Sequence, residues 1–202
     1  MKILEETGFT YDDLLIVPQF SEIKSRSHVN TVSFIGDMQF TIPIIAANMD
    51  TICEWEMAQK MHELGGLGIL HRFAPIEEQI QWVKELTKKG CYAVVSVGVG
   101  PEAVKNAEKL LSEGATGVCL DIAHVHTGQG LGTALELKKL TKNLIVGNVA
   151  TREAATDFAL KKVQSIKVGI GPGSACETRV VAGVGVPQAY AVVECSKASA
   201  DV

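Results

Sequence analysis

The chain has no CxxC spacing, no apolar run of membrane-crossing length and no basic patch. Each absence excludes something. The five cysteines, at 53, 91, 119, 176 and 195, are an odd number without paired spacing. That argues against a disulfide framework or a zinc site and fits a reducing cytoplasm. No stretch approaches the roughly 18 apolar residues of a membrane span. Met1-Lys-Ile-Leu-Glu-Glu6 lacks the apolar region of a signal peptide. Lysines scattered over a chain of net charge -4 leave no footprint for nucleic acid. What is present, 202 residues at 47% hydrophobic content, suffices for one core. The expectation is a single domain over 1–202 with an N-terminal extension over 1–40.

Apolar strands alternate with amphipathic helices. Strands are expected at 42–49, 66–71, 92–98, 117–123, 143–149 and 165–170. Between them, 54–64, 76–89, 131–140 and 151–163 read as helices, and 187 to about 200 as the last one. Gly100-Pro101 opens a further helix, with proline where its missing N–H is harmless, and Gly114 ends it. Continuous apolar strands separated by helices imply a parallel sheet covered on both faces. An open doubly wound sheet and a (β/α) barrel both satisfy this pattern. Polar or reactive residues follow nearly every strand: Asn48-Met49-Asp50, His71-Arg72, Ser96, Asp121, Asn148 and the loop reaching Cys176. A barrel gathers such ends at one mouth, so the α/β expectation is a (β/α) TIM-type barrel. Only six of eight units can be counted, so that barrel is incomplete.

The segment from Ile166 to Arg179 carries the most chemistry. It runs from a buried strand into Gly169, Gly171 and Gly173, then Ser174 and Cys176. The glycines let backbone N–H groups approach an anion, Ser174 adds a hydroxyl, and Cys176 stands as a nucleophile beside the cradle. The plain alternative is a common α/β loop and an inert cysteine. Asp121 equally suits a helix cap, Asn148 a neighbouring strand end, and Met49 a core position. His124 and His126 suggest a metal but lack a third ligand in register. Lys167, mid-strand, could face the mouth or a carboxylate.

Together with Gly183-Val-Gly-Val-Pro-Gln188, this segment resembles the catalytic loop of the IMP dehydrogenase/GMP reductase family. Phe9 to Pro18, Ile44 to Thr51, Gly65 to His71 and Gly147-Asn148-Val149 are also similar to that family, so the resemblance covers essentially the whole chain. It implies a barrel, a purine nucleotide substrate (GMP or IMP), NADPH or NAD, and a potassium ion. Cys176 is then the nucleophile at purine C2, and Thr178 joins the acid/base or water-handling step. Gly173 and Ser174 meet the phosphate, Met49 the purine, Asn148 the reacting base and Asp121 the nicotinamide ribose. Carbonyls of Gly171, Gly173 and Cys176 match potassium-binding positions, and a homo-oligomer, a tetramer in the family, is implied.

Between His71 and Tyr92 there is room for one helix and none for the regulatory insert domain of many dehydrogenases. The Ala-Ala-Asn-Met-Asp-Thr51 run and Val193-Glu194-Cys195 lean towards GMP reductase, whereas Val180 to Gln188 leans towards the bacterial dehydrogenase. Two departures stand out. Glu177 follows the cysteine, and the family's seventh and eighth barrel units are not found. The favoured expectation is NADPH-dependent reduction of GMP to IMP. The alternatives are NAD-dependent oxidation of IMP and a truncated, non-catalytic nucleotide-binding homologue.

Overall fold

The structure is a computed structural model that describes residues 7–174 and 176–200. The leader reading of residues 1–6 and the side chain of Glu177 lie outside what is described. After an extended arm, a short hairpin forms from β1 (Ser33–Ile35) and β2 (Met38–Phe40), turning at Gly36 with φ 58°. Then come β3 (Ile45–Ala46), α1 (Trp55–Glu63), β4 (Leu67–Leu70), α2 (Ile76–Lys88), β5 (Val94–Val97) and α3 (Pro101–Ser112). The chain continues through β6 (Gly117–Asp121), α4 (Gly128–Leu140), β7 (Leu144–Val149), α5 (Arg152–Leu160) and β8 (Ser165–Val168). It finishes with α6 (Glu177–Ala182), α7 (Gln188–Ser196) and a 3-10 turn over Lys197–Ala200.

The large sheet has six parallel strands in strict chain order, β3-β4-β5-β6-β7-β8. A doubly wound sheet reverses direction at a switch point, and this sheet has none. Sequential parallel order curls one way, which is the barrel solution, carried here through six strands. Strand parity then divides two cores. Val95, Val118, Leu120, Leu144 and Val146 point outward and bury Val83, Leu86, Leu110, Leu137 and Phe158 from the helices. Val94, Cys119 and Ile145 point inward with Leu67 and Ile69.

The hairpin β1–β2 plugs the inner face. Its Ile35, Met38 and Phe40 join the inward residues. The Asp37 N–H donates to Asn143 Oδ1 at 2.7 Å and the Gln39 N–H to the Tyr92 hydroxyl at 3.2 Å. Asn143 precedes β7 and Tyr92 precedes β5, so the hairpin closes the amino-terminal end of the strands. It occupies the last part of what the sequence presents as a plain extension. Helix starts follow their caps: Thr127 Oγ1 accepts from Gly130 N–H, and Thr151 Oγ1 from Ala154 N–H.

Candidate active site

Parallel strands share one carboxyl-terminal rim, so the loops leaving them meet there. β3 delivers Asn48 and Met49, β4 His71 and Arg72, β5 Ser96, β6 Asp121, β7 Asn148, and β8 the glycine loop to Cys176.

At the centre lies a polar chain with Lys167 as its hub. Its ammonium donates to Asp121 Oδ1 at 2.5 Å and to Asn48 Oδ1 at 2.8 Å. Asn48 Nδ2 donates in turn to Ser96 Oγ at 2.9 Å. Register explains how a lysine on β8 reaches a carboxylate on β6. Asp121 pairs with Gly147, and Gly147 pairs with Lys167, in one row across β7. A Cβ at position 147 would stand 2.6 Å from Lys167 Cβ and 3.3 Å from its Cε. The missing side chain is the lane along which the lysine crosses. Asp121 is therefore an ion-pair carboxylate rather than a helix cap, and Arg72 Nε also donates to its backbone carbonyl at 3.2 Å.

Asn148 donates its amide to the Ile122 carbonyl at 3.1 Å, the neighbouring-strand contact that the sequence left open. Met49 is exposed at the rim rather than a core residue. His71 is buried against Trp82; its Nδ1 accepts from Phe73 N–H at 3.2 Å and its Nε2 faces Glu54 Oε1 at 3.4 Å. That engagement on both ring nitrogens makes it a structural histidine.

The loop after β8 is shaped by its glycines. Gly169 has φ 141° and Gly171 φ 61°, and a Cβ at 171 would approach the Val184 carbonyl to 2.5 Å. Val149 O accepts from Gly169 N–H at 2.8 Å, and Ile170 O from Val186 N–H at 2.9 Å. Gly173 and Ser174 are exposed, and Cys176 follows half-buried at the start of α6. Thr178 is half-buried in that helix's first turn. The loop borders a cavity of about 270 Å³ lined by Thr10, Gly171, Pro172, Arg179, Gly183 and Pro187.

Burial separates Cys176 from the other thiols. Cys53, Cys91, Cys119 and Cys195 are all buried. Burial pushes Cys119 up to about 12 and Cys53 and Cys195 up to about 11. Such thiols stay protonated at neutral pH and are poor nucleophiles. Cys176, half-buried at the start of α6, is the exception.

His126 Nε2 lies 2.7 Å from Asp157 Oδ2, and this bond holds the Asp157 carboxyl below its ordinary range. Among the described residues no three potential ligands cluster for a metal. The carbonyls matched to potassium belong to Gly171, Gly173 and Cys176, and two of them accept hydrogen bonds within the loop and α6. Gly173 O accepts from Cys176 N–H at 3.1 Å and Cys176 O from Val180 N–H at 3.0 Å. Each of these carbonyls keeps a second lone pair, and a hard cation, which takes about six oxygens, would need further donors beside them. Beside Asp121, a cavity of about 220 Å³ is lined by Arg72, Ser96, Gly98, Glu102 and Asn106, a donor and acceptor set suited to a ribose or an amide.

Six parallel strands in chain order, with a glycine loop and a cysteine after the last, define an α/β chain of half-barrel type. The chain belongs to the IMP dehydrogenase / GMP reductase domain family, whose model matches residues 8–202. It is 33% identical over 232 residues to an inosine-5'-monophosphate dehydrogenase of Cryptosporidium parvum, covering 94% of this chain and 58% of that protein. It is 34% identical over 200 residues to a GMP reductase of Bacillus subtilis, covering 96% and 61%. A crystal structure of the inosine 5' monophosphate dehydrogenase from Legionella pneumophila superposes with a TM-score of 0.84 at 40% identity, covering 95% of this chain and 59% of that one. The chain thus spans about three-fifths of the length of the relatives it matches. No described helix is long and apolar enough to cross a membrane.

Proposed function

We propose that this chain carries the cysteine-bearing part of a purine nucleotide oxidoreductase of GMP reductase type. The observation that supports this reading most is the placement of Cys176. It is the one cysteine that is not buried, and it ends a glycine loop on the same rim as Asp121, Asn148 and Met49.

In this reading, backbone N–H groups near Gly173 and the Ser174 hydroxyl hold the phosphate of GMP, and Met49 covers the purine. The Cys176 thiolate adds to C2, and Thr178 helps deliver the proton with which the amino group leaves as ammonia. A reduced nicotinamide, NADPH, would supply the hydride that C2 then accepts. As the C2–H bond forms, the C2–S bond breaks, and its electron pair returns to Cys176 as thiolate, leaving IMP. Asp121, with one oxygen held by Lys167, keeps the other for a ribose hydroxyl of the cofactor. Asn148, anchored through its amide nitrogen, offers its oxygen to the base. Potassium enters by resemblance only and takes part in no step here, and the homo-oligomer likewise rests on family resemblance.

A second reading is NAD-dependent oxidation of IMP through the same cysteine adduct, followed by hydrolysis. The 40% identity to the Legionella enzyme favours it. A third is nucleotide binding without turnover, which the same assay separates from the other two.

The test is absorbance of the reduced nicotinamide with GMP and NADPH in potassium buffer, beside a Cys176→Ser variant. Loss of signal that depends on Cys176 is the expected result. Activity retained by Cys176→Ser sinks the mechanism. Signal gain with IMP and NAD instead selects the second reading, and nucleotide binding without turnover in any combination selects the third.

A further inference from the structure

The glycine turn that leads to Cys176 has little core beneath it. Cys176 and Thr178 are only half-buried, and residues 179–182 are exposed. Their position therefore depends on the wall behind the turn, residues 183–188. Val186 N–H donates to Ile170 O at 2.9 Å, and the Gln188 side-chain amide to Val168 O at 3.0 Å. The two backbones run so close that a Cβ at Gly185 would stand 3.0 Å from Gly171 O. This wall is backed in turn by three residues remote in sequence. Pro187 precedes α7 and offers no side-chain acceptor, so the first-turn N–H groups of that helix lack a cap of the usual kind. Phe9 O serves one of them, accepting from Tyr190 N–H at 3.3 Å. Gly8 lies so near Pro187 that a Cβ there would meet the ring Cγ at 2.8 Å. Thr10 shares the lining of the cavity of about 270 Å³ with Gly171, Arg179 and Gly183. The segment is locally fixed as well: Asp13 Oδ2 accepts from Thr10 N–H at 3.0 Å and from Thr10 Oγ1 at 3.1 Å.

We propose that Gly8, Phe9 and Thr10 are positioning residues for Cys176: they brace the 183–188 wall against the glycine turn and so set how far the thiol stands open. They touch no reacting atom. Their effect passes through Pro187 and Tyr190 to Val186, and from Val186 to Ile170 at the root of the turn. A side chain at position 8 has two ways to fit. It pushes Pro187 outward, or it lifts the Phe9 carbonyl off Tyr190. Either way the wall loses its backing, and the turn, which has no core of its own, moves with it. The inference rests on Cys176 as the reactive thiol, the premise of the proposed function, but not on turnover.

The experiment follows alkylation of the full chain by iodoacetamide at about pH 8, each cysteine read separately by peptide mass spectrometry. Cys119, buried and pushed up to about 12, stays protonated there and reports any global opening. In Gly8→Ala the Cys176 rate should rise at least about threefold while Cys119 stays unlabelled, and the Tyr190 amide should exchange faster. Adding Pro187→Ala removes the ring atom that the new methyl meets, and should lower the rate again by at least about twofold. An unchanged rate in Gly8→Ala overturns the inference. So does a rise that the second substitution leaves in place, or a parent Cys176 as inert as Cys119. If Gly8→Ala labels Cys119 too, Asp13→Ala decides instead, because Asp13 is exposed and its carboxylate serves Thr10. Its Cys176 rate should rise about twofold with Cys119 silent, and an unchanged rate overturns the inference. Absence of turnover beside these rate changes counts against the proposed function and leaves the brace standing.

Discussion

Replacing Lys167 by methionine tests the centre of the rim directly. Methionine keeps the length and apolar stem and removes the ammonium. Two bonds go with it, at 2.5 Å to Asp121 Oδ1 and 2.8 Å to Asn48 Oδ1. What remains is a carboxylate whose side chain is only 16% exposed, and an asparagine oxygen in a residue 5% exposed. Truncating one partner of a fully buried pair costs about 3–5 kcal/mol, because the other charge is stranded. The lysine side chain is 33% exposed, so water already screens part of the pair. The expected loss is then about 2–3 kcal/mol. Asp121→Asn alone should also destabilise. The double variant should cost less than the sum by at least about 1 kcal/mol, since no stranded charge is left. Gly147→Ala should mimic Lys167→Met, because its Cβ would stand 2.6 Å from that of the lysine and close the lane. Urea unfolding of the parent and the four variants at neutral pH measures all these terms. A loss under about 0.5 kcal/mol for Lys167→Met, or strict additivity in the double variant, would refute the reasoning.

Two further outcomes follow from the core. Phe158→Ala removes a fully buried ring from the sheet–helix interface and should cost about 3–5 kcal/mol, read as a lowered midpoint in the same unfolding assay. Cys53, Cys119 and Cys195 ionise less readily folded than unfolded, against an ordinary value of 9.0. Their contribution to stability is therefore complete below about pH 9 and falls as pH rises towards 11 and 12. A serine at position 119 should flatten that alkaline limb. An equally steep limb in Cys119→Ser would remove the thiols as its cause.

The βα alternation was legible because each element carries enough residues to express its period. Ile80, Val83 and Leu86 of α2 read as a stripe and are buried as one. Gly100-Pro101 opens α3 as read, and Gly114 takes the positive φ that a helix terminator needs, 106°. The hairpin was not legible. Strands of three residues hold too little alternation, and β1–β2 is held by Asn143 and Tyr92, which are remote in sequence. Helix α6, six residues long, hid inside the glycine segment for the same reason. The rim residues could be named singly from their places after strands. Their connection through Lys167 could not, because it depends on the register that sets Gly147 between Lys167 and Asp121. Nor does the sequence reveal that Leu15, Ile16, Val17 and Phe20 stand exposed among the described residues: their apolar pattern is that of a buried segment.

The plug also has a kinetic meaning. Its bond from Asp37 to Asn143 joins residues 106 apart, whereas the bond from Ala93 to Thr116 within the βα series spans 23. Loop-closure entropy makes the longer contact about 1.4 kcal/mol harder to form from an open chain. Neighbouring βα units can assemble by short closures, but the hairpin has nothing to seat on until β4 to β7 stand side by side. Loop closure thus predicts that the base closes late, against a sheet already in register, with protection of the Asp37 amide following that of β5 and β6 in pulse-labelled refolding.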